Sequence, residues 1–240
     1  MRIRLIAALL CASPLFAGTV YWYNGDSDNY NNLLNEDTGA SGTALVYDDF
    51  VVGAGGVTVT GVFSNDVIEN AISSNNDPGV VTDANWEIRS GVSGGNGGTL
   101  VASGSGAATQ TDTGLLSENF AVYNIDIEGL NVSLTPGTYW LAVIPDLGGN
   151  DNGYVATTSG ANAIGTPQAQ DGDSFFTSNV LSFNFLTAID LIGGDPGDGG
   201  NADFSMGVET APTPEPGTAA LGAVAMLLAG LAAVTRRLRA

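Results

Sequence analysis

Short alternations of apolar and polar residues, each closed by a turn signal, recur from about residue 44 to residue 209. Tyr123-Asn124-Ile125-Asp126-Ile127 and Trp86-Glu87-Ile88-Arg89 alternate strictly, and Val57, Val59 and Phe63 share one side opposite Thr58 and Thr60. Side chains on an extended chain point alternately to its two faces, so this period of two predicts strands with one buried face. Residues 139–144 are apolar on both faces, which predicts a central strand, and Pro136-Gly137 supplies the turn before it. Further strands are predicted at 44–52, 99–102, 130–134, 154–158, 181–186 and 204–209. Asn24-Gly25, Asn96-Gly97 and Asn152-Gly153 are turn signals, and 34 glycines leave little room for helices. The expected fold is all-β: one antiparallel β-sandwich domain, jelly-roll-like, over residues 18–210. A chain of that length buries a substantial core without disulfides.

The two ends read differently from the middle. Arg2 and Arg4 precede an apolar stretch at 5–12, and small residues surround Ala17 and Gly18, the layout of a secretory signal peptide over 1–17. Cys11, the single cysteine, is then lost with the signal. At the other end Pro214-Glu215-Pro216-Gly217 closes an extended spacer at 211–217 and is followed by an uncharged apolar run of 18 residues, 218–235. A helix needs about 17 to 25 residues to cross a hydrocarbon core. Arg236, Arg237 and Arg239 then hold the tail, 236–240, in the cytoplasm. Motif, apolar span and arginine cluster in this order resemble the PEP-CTERM sorting signal. The resemblance implies recognition and processing by an exosortase, a membrane-embedded cysteine protease. The stretches at 86–104 (WEIRSGVSGGNGGTLVASG) and 130–145 (LNVSLTPGTYWLAVIP) are similar to an extracellular β-sandwich that recurs ahead of such tags, and imply company with exopolysaccharide.

Between the two signals the chain carries 25 acidic residues and a single basic one, Arg89, a balance of about −24. A surface of that sign repels phosphate backbones, so nucleic acid is not an expected partner. The chain has no histidine, and residues 18–217 have neither lysine nor cysteine. Ser-His-Asp and Cys-His nucleophilic sites need an imidazole to take the proton, and zinc and copper sites need histidine or cysteine. Carboxylate chemistry remains: an acid pair of the glycosidase kind, or oxygen coordination of calcium.

Asp26, Asp28 and Asp37 stand at positions 1, 3 and 12 of an EF-hand-like loop, but Tyr30 takes a ligand position and Asn31 replaces the required glycine. A solvated acidic loop is expected there instead. Asp195, Asp198 and Asp203, with Asp171 and Asp173, form a second acidic set, placed either to converge on a calcium ion or to solubilise turns. Asp48 and Asp49 are adjacent on a strand and face opposite ways, so they cannot form a catalytic pair together. Glu87 and Glu128 are expected to face solvent. Trp86 and Trp140 are expected in the core. Trp22, with Tyr23 beside it, either stacks on a sugar ring or plugs the sandwich edge. The expectation is an exported, non-catalytic structural or adhesive protein of the cell surface or matrix. A calcium-dependent carbohydrate-binding module and a carboxylate glycosidase are the alternatives.

Overall fold

Valine, isoleucine and aromatic side chains at every second position favour extended backbone, and the computed structural model is built almost wholly from strands. It describes residues 18–39, 42–70, 79–147, 151–167, 171–193 and 202–211, all within one unit, Gly18–Ala211. The expected signal peptide, the sorting motif at 214–217, the apolar run at 218–235, the arginine tail, Asp195 and Asp198 lie outside the described residues. No helix among the described residues is long and apolar enough to cross a membrane.

In chain order the elements are β1 (Thr19–Tyr23), β2 (Ser27–Leu34), β3 (Glu36–Asp37), β4 (Thr43–Val52), β5 (Val57–Asn70), β6 (Asp83–Ser90), β7 (Thr99–Ala107), β8 (Thr109–Ser117), β9 (Phe120–Leu134), β10 (Gly137–Pro145), β11 (Asp151–Thr158), β12 (Phe175–Ser178), β13 (Phe183–Thr187), the short helix α1 (Ala188–Ile192) and β14 (Met206–Thr210). They form two antiparallel sheets. In the first, β5 is the spine. It pairs with β9 along one edge and with β14 and then β11 along the other, while β1, β2 and β8 complete the sheet. The second runs β13-β12-β4-β10-β6-β7, with β3 added against β4.

The inner faces of the two sheets meet in one apolar cluster. Val59, Val62, Ile125, Ile127, Val155 and Met206 come from the first sheet, and Val46, Phe50, Ile88, Leu141 and Val143 from the second. Each such side chain stabilises the fold by about 1.5–3 kcal/mol when fully buried. As expected, β10 is covered on both sides. Tyr139, Leu141 and Val143 join the inner cluster, whereas Trp140, Ala142 and Ile144 join a second cluster with Tyr47, Val92, Phe175 and Phe185 on the outer face. Trp140 is thus buried outside the sandwich interior.

Three sequence expectations need correction. The stretches 123–127 and 130–134 belong to one strand, β9, because Gly129 (φ 79°) lies where the register against β5 shifts and so makes a bulge instead of a turn. Asn152-Gly153 is not a turn either. Gly153 lies inside β11 opposite Ile68, and a Cβ there would come within 2.8 Å of the Asn35 carbonyl oxygen, so glycine serves close backbone approach. The expected acidic loop after Asp26 is largely strand β2, paired with β11 from Leu34 to Ser27. Its residues are polar on both sides, so no alternation announces it. Strands β1, β8 and β12 were also not expected.

Candidate functional site

The deepest concentration of charge lies where β4 meets the 171–174 turn and the approach to β14. Consecutive residues of a strand face opposite ways, which divides Asp48 from Asp49. Asp48, 1% exposed, shares the inner face with Val46 and Phe50. Its carboxylate accepts hydrogen bonds from Asn24 Nδ2 (2.9 Å), the Phe204 amide (2.6 Å) and the Asp49 amide (2.9 Å). Asp49 is on the outer face and opposes Trp140 of β10. On its other side β4 is paired with β12 from Ala44–Ser178 to Tyr47–Phe175, and the 171–174 turn precedes that pairing. The Trp140 indole donates to the Asp173 carbonyl (2.8 Å). Asp203, fully buried, accepts from the amides of Asp171 (3.0 Å) and Gly172 (3.2 Å) and so fastens the turn.

Burial, then the nearby Asp203, holds Asp48 well above the usual carboxylate range. Asp49 is pushed up to about 8 by burial, then by Asp171, Asp173 and Asp203. Asp171 is raised as well, chiefly by burial. Two acceptor oxygens here are buried without a hydrogen-bond partner: Asp49 Oδ1 and Asn24 Oδ1.

The second feature is a cleft of about 530 Å³ on the outer face of the second sheet, crossing from β12 to β7. Asp37 in it accepts from Asn85 Nδ2 (2.8 Å). Glu87 accepts from the Tyr47 hydroxyl (2.7 Å) and from Arg89 Nε (2.7 Å), which corrects the expectation that Glu87 merely faces water. The sole basic residue of the 18–217 region is held here, its guanidinium carbon 5.7 Å from the centre of the Tyr47 ring and 5.5 Å from that of Phe185. Burial raises the Tyr47 hydroxyl, and Glu87 adds to the effect. Ser103 and Ser105 of β7 stand opposite Glu87 and Asn85 and complete a hydroxyl-rich wall.

A third group lies on the first sheet. Carboxylate oxygens of Asp126, Glu128 and Glu209 come within 4.8 Å of one another, the only such triad among the described residues. Gly61 makes it, since it pairs with both Glu128 and Glu209 and a Cβ there would lie 2.7 Å from Glu209 Oε2. Burial, then Glu209 and Glu128, pushes Asp126 up to about 6. No sequence spacing could reveal a group whose members lie on strands joined only through β5.

Of the two readings of Trp22, its burial fits the plug and leaves no ring face open to a sugar. Trp22 is fully buried on β1, stacks on Phe50 at 5.6 Å and donates its indole N–H to the Pro167 carbonyl (3.0 Å). Tyr23 donates its hydroxyl hydrogen to Asp26 (2.8 Å). Asp26 and Asp28 turn to Asn162 and Thr157, while Asp37 is in the cleft, so these three do not converge. Asp203 meets Asp171 through the turn, and the partner that sequence reasoning missed is the Asp48-Asp49 pair, more than 120 residues away. No family model, no curated protein and no solved structure matches the chain.

Proposed function

We propose that this chain is exported and acts at the cell surface or in the extracellular polymer matrix as a non-catalytic structural or adhesive protein with weak affinity for exopolysaccharide. In this reading the 1–17 segment directs export, the 218–235 segment anchors the chain at first in the cytoplasmic membrane, and an exosortase recognises Pro214-Glu215-Pro216-Gly217. The folded part is a jelly-roll-like sandwich.

The observation that carries the reading is the outer-face cleft. Its wall offers carboxylate, amide, hydroxyl and guanidinium groups, the donors and acceptors that match a sugar's ring hydroxyls. Its aromatic floor is closed, because Tyr47 is 1% and Phe185 8% exposed, so it presents no open ring for stacking. Recognition by hydrogen bonds alone in a wet cleft gives low affinity. Hydrolysis is disfavoured because the cleft acids are already engaged, Glu87 by Arg89 and Tyr47 and Asp37 by Asn85. The acidic cluster at Asp49 favours a second reading, a carbohydrate-binding module that depends on calcium. A glycan array run with and without calcium tests both. The expected result is a weak signal on extracellular polysaccharides that falls in Asn85→Ala. Absence of any glycan signal would remove the adhesive reading, and loss of signal in chelator would favour the calcium-dependent module.

A further inference from the structure

We propose that Asp49, Asp171 and Asp173 form a calcium site on the outer face of the second sheet, with Asp203 behind them holding the 171–174 turn in place. Asp49 is 4% exposed, yet its Oδ1 receives no hydrogen bond. Leaving a buried acceptor unsatisfied costs about 1–3 kcal/mol, and more when it is charged. A buried acceptor in want of a positive partner is what a cation completes.

The register sharpens the argument. Trp140, paired with Asp49 across β10 and β4, donates its indole N–H to the Asp173 carbonyl and so holds that acidic turn residue near Asp49, where like charges repel. Asp171 and the buried Asp203 add to the same field. The 18–217 region has one basic residue, and its guanidinium is committed to Glu87. Protonation is one way to relieve that repulsion, and a bound cation is the other.

The donor set selects the ion. Every available ligand is oxygen, with no histidine or cysteine in the 18–217 region, which disfavours zinc and copper. Donors from a strand and an irregular glycine-containing turn suit the flexible coordination of calcium, whereas magnesium demands near-octahedral geometry and gives up its water reluctantly. Among the described residues three carboxylate oxygens already approach within 4.8 Å only at Asp126, Glu128 and Glu209, but Glu128 of that triad is exposed. At Asp49 the closing movement belongs to the Asp171 and Asp173 side chains of the turn, Asp171 giving up the Asp173 amide that its Oδ1 accepts (3.3 Å).

Terbium, a luminescent stand-in for calcium, tests the site on the full chain in detergent after chelator treatment. Because the Trp140 indole is bonded to the Asp173 carbonyl, excitation of tryptophan is expected to sensitise terbium emission, and Trp140→Phe is expected to remove most of it. Calcium displaces the terbium and magnesium at matched ionic strength does not. Asp173→Asn weakens binding by roughly tenfold or more, as does Asp49→Asn, while Asp126→Asn leaves it unchanged. Asp173 lies on an exposed turn, so its variant reports on the site even where Asp49→Asn fails to fold. No sensitised emission, equal displacement by the two metals, or a signal that survives Asp173→Asn and disappears in Asp126→Asn overturns the proposal. The outcome does not depend on whether the cleft binds glycans.

Discussion

Asp66 is a single residue through which both sheets are tied. It is wholly buried on β5 and accepts hydrogen bonds from the Ser64 hydroxyl and from Asn35 Nδ2 (3.0 Å). Asn35 also donates to the Val143 carbonyl of β10 (2.7 Å) and accepts from the Val46 amide of β4 (3.4 Å). Burial pushes the Asp66 carboxyl up to about 7, against the pull of the two hydrogen bonds. In the unfolded chain it titrates near 4. A folded value above the unfolded one means the stabilisation is complete below about pH 4 and is lost as pH rises through about 7. Asp66→Asn is neutral at every pH and keeps an acceptor for Ser64 or Asn35. We expect it to flatten the fall in melting temperature between roughly pH 4 and 7, as read by calorimetry in chelator. A variant that declines as steeply as the parent would place the pH sensitivity elsewhere.

At the scale of elements, β10 carries the second sheet, since both its edges are paired and both its faces are covered. Trp140→Ala opens a hole in the outer cluster and is expected to cost about 3–5 kcal/mol. Equilibrium denaturation checks this, and an unchanged midpoint would mean that the outer cluster adds nothing. This strand was readable because apolar residues on both faces leave a continuous run, and β5, β6 and the first part of β9 were readable from alternation. Strand β2 was hidden because Asp28, Asn29, Asn31 and Asn32 are polar on either face, and its pairing with β11 is specified by the rest of the sheet. The bulge at Gly129 was read as a break because one glycine signals both. For the site, parity alone separated Asp48 from Asp49. The approach of the 171–174 turn depends on β12, whose four residues are too few to show a period. Glu87 was misread because its partners lie two residues away and on another strand, where alternation predicts only its side of the sheet.

For the whole molecule, the dominant quantity is charge. A balance of about −24 over residues 18–217 opposes compaction, while the all-β frame holds against it through an apolar core drawn from both sheets. The five other basic residues fall in the two terminal segments, Arg2 and Arg4 at one end and Arg236, Arg237 and Arg239 at the other. That partition is what the proposed reading requires, in which the ends address the chain to a membrane and the middle works outside the cell. Removal of both ends leaves the acidic sandwich alone. Intact-mass spectrometry of the protein recovered from the cell surface measures this most directly. The account predicts a chain that begins near Gly18 and ends between Pro214 and Gly217, and surface protein that still ends at Ala240 would contradict it.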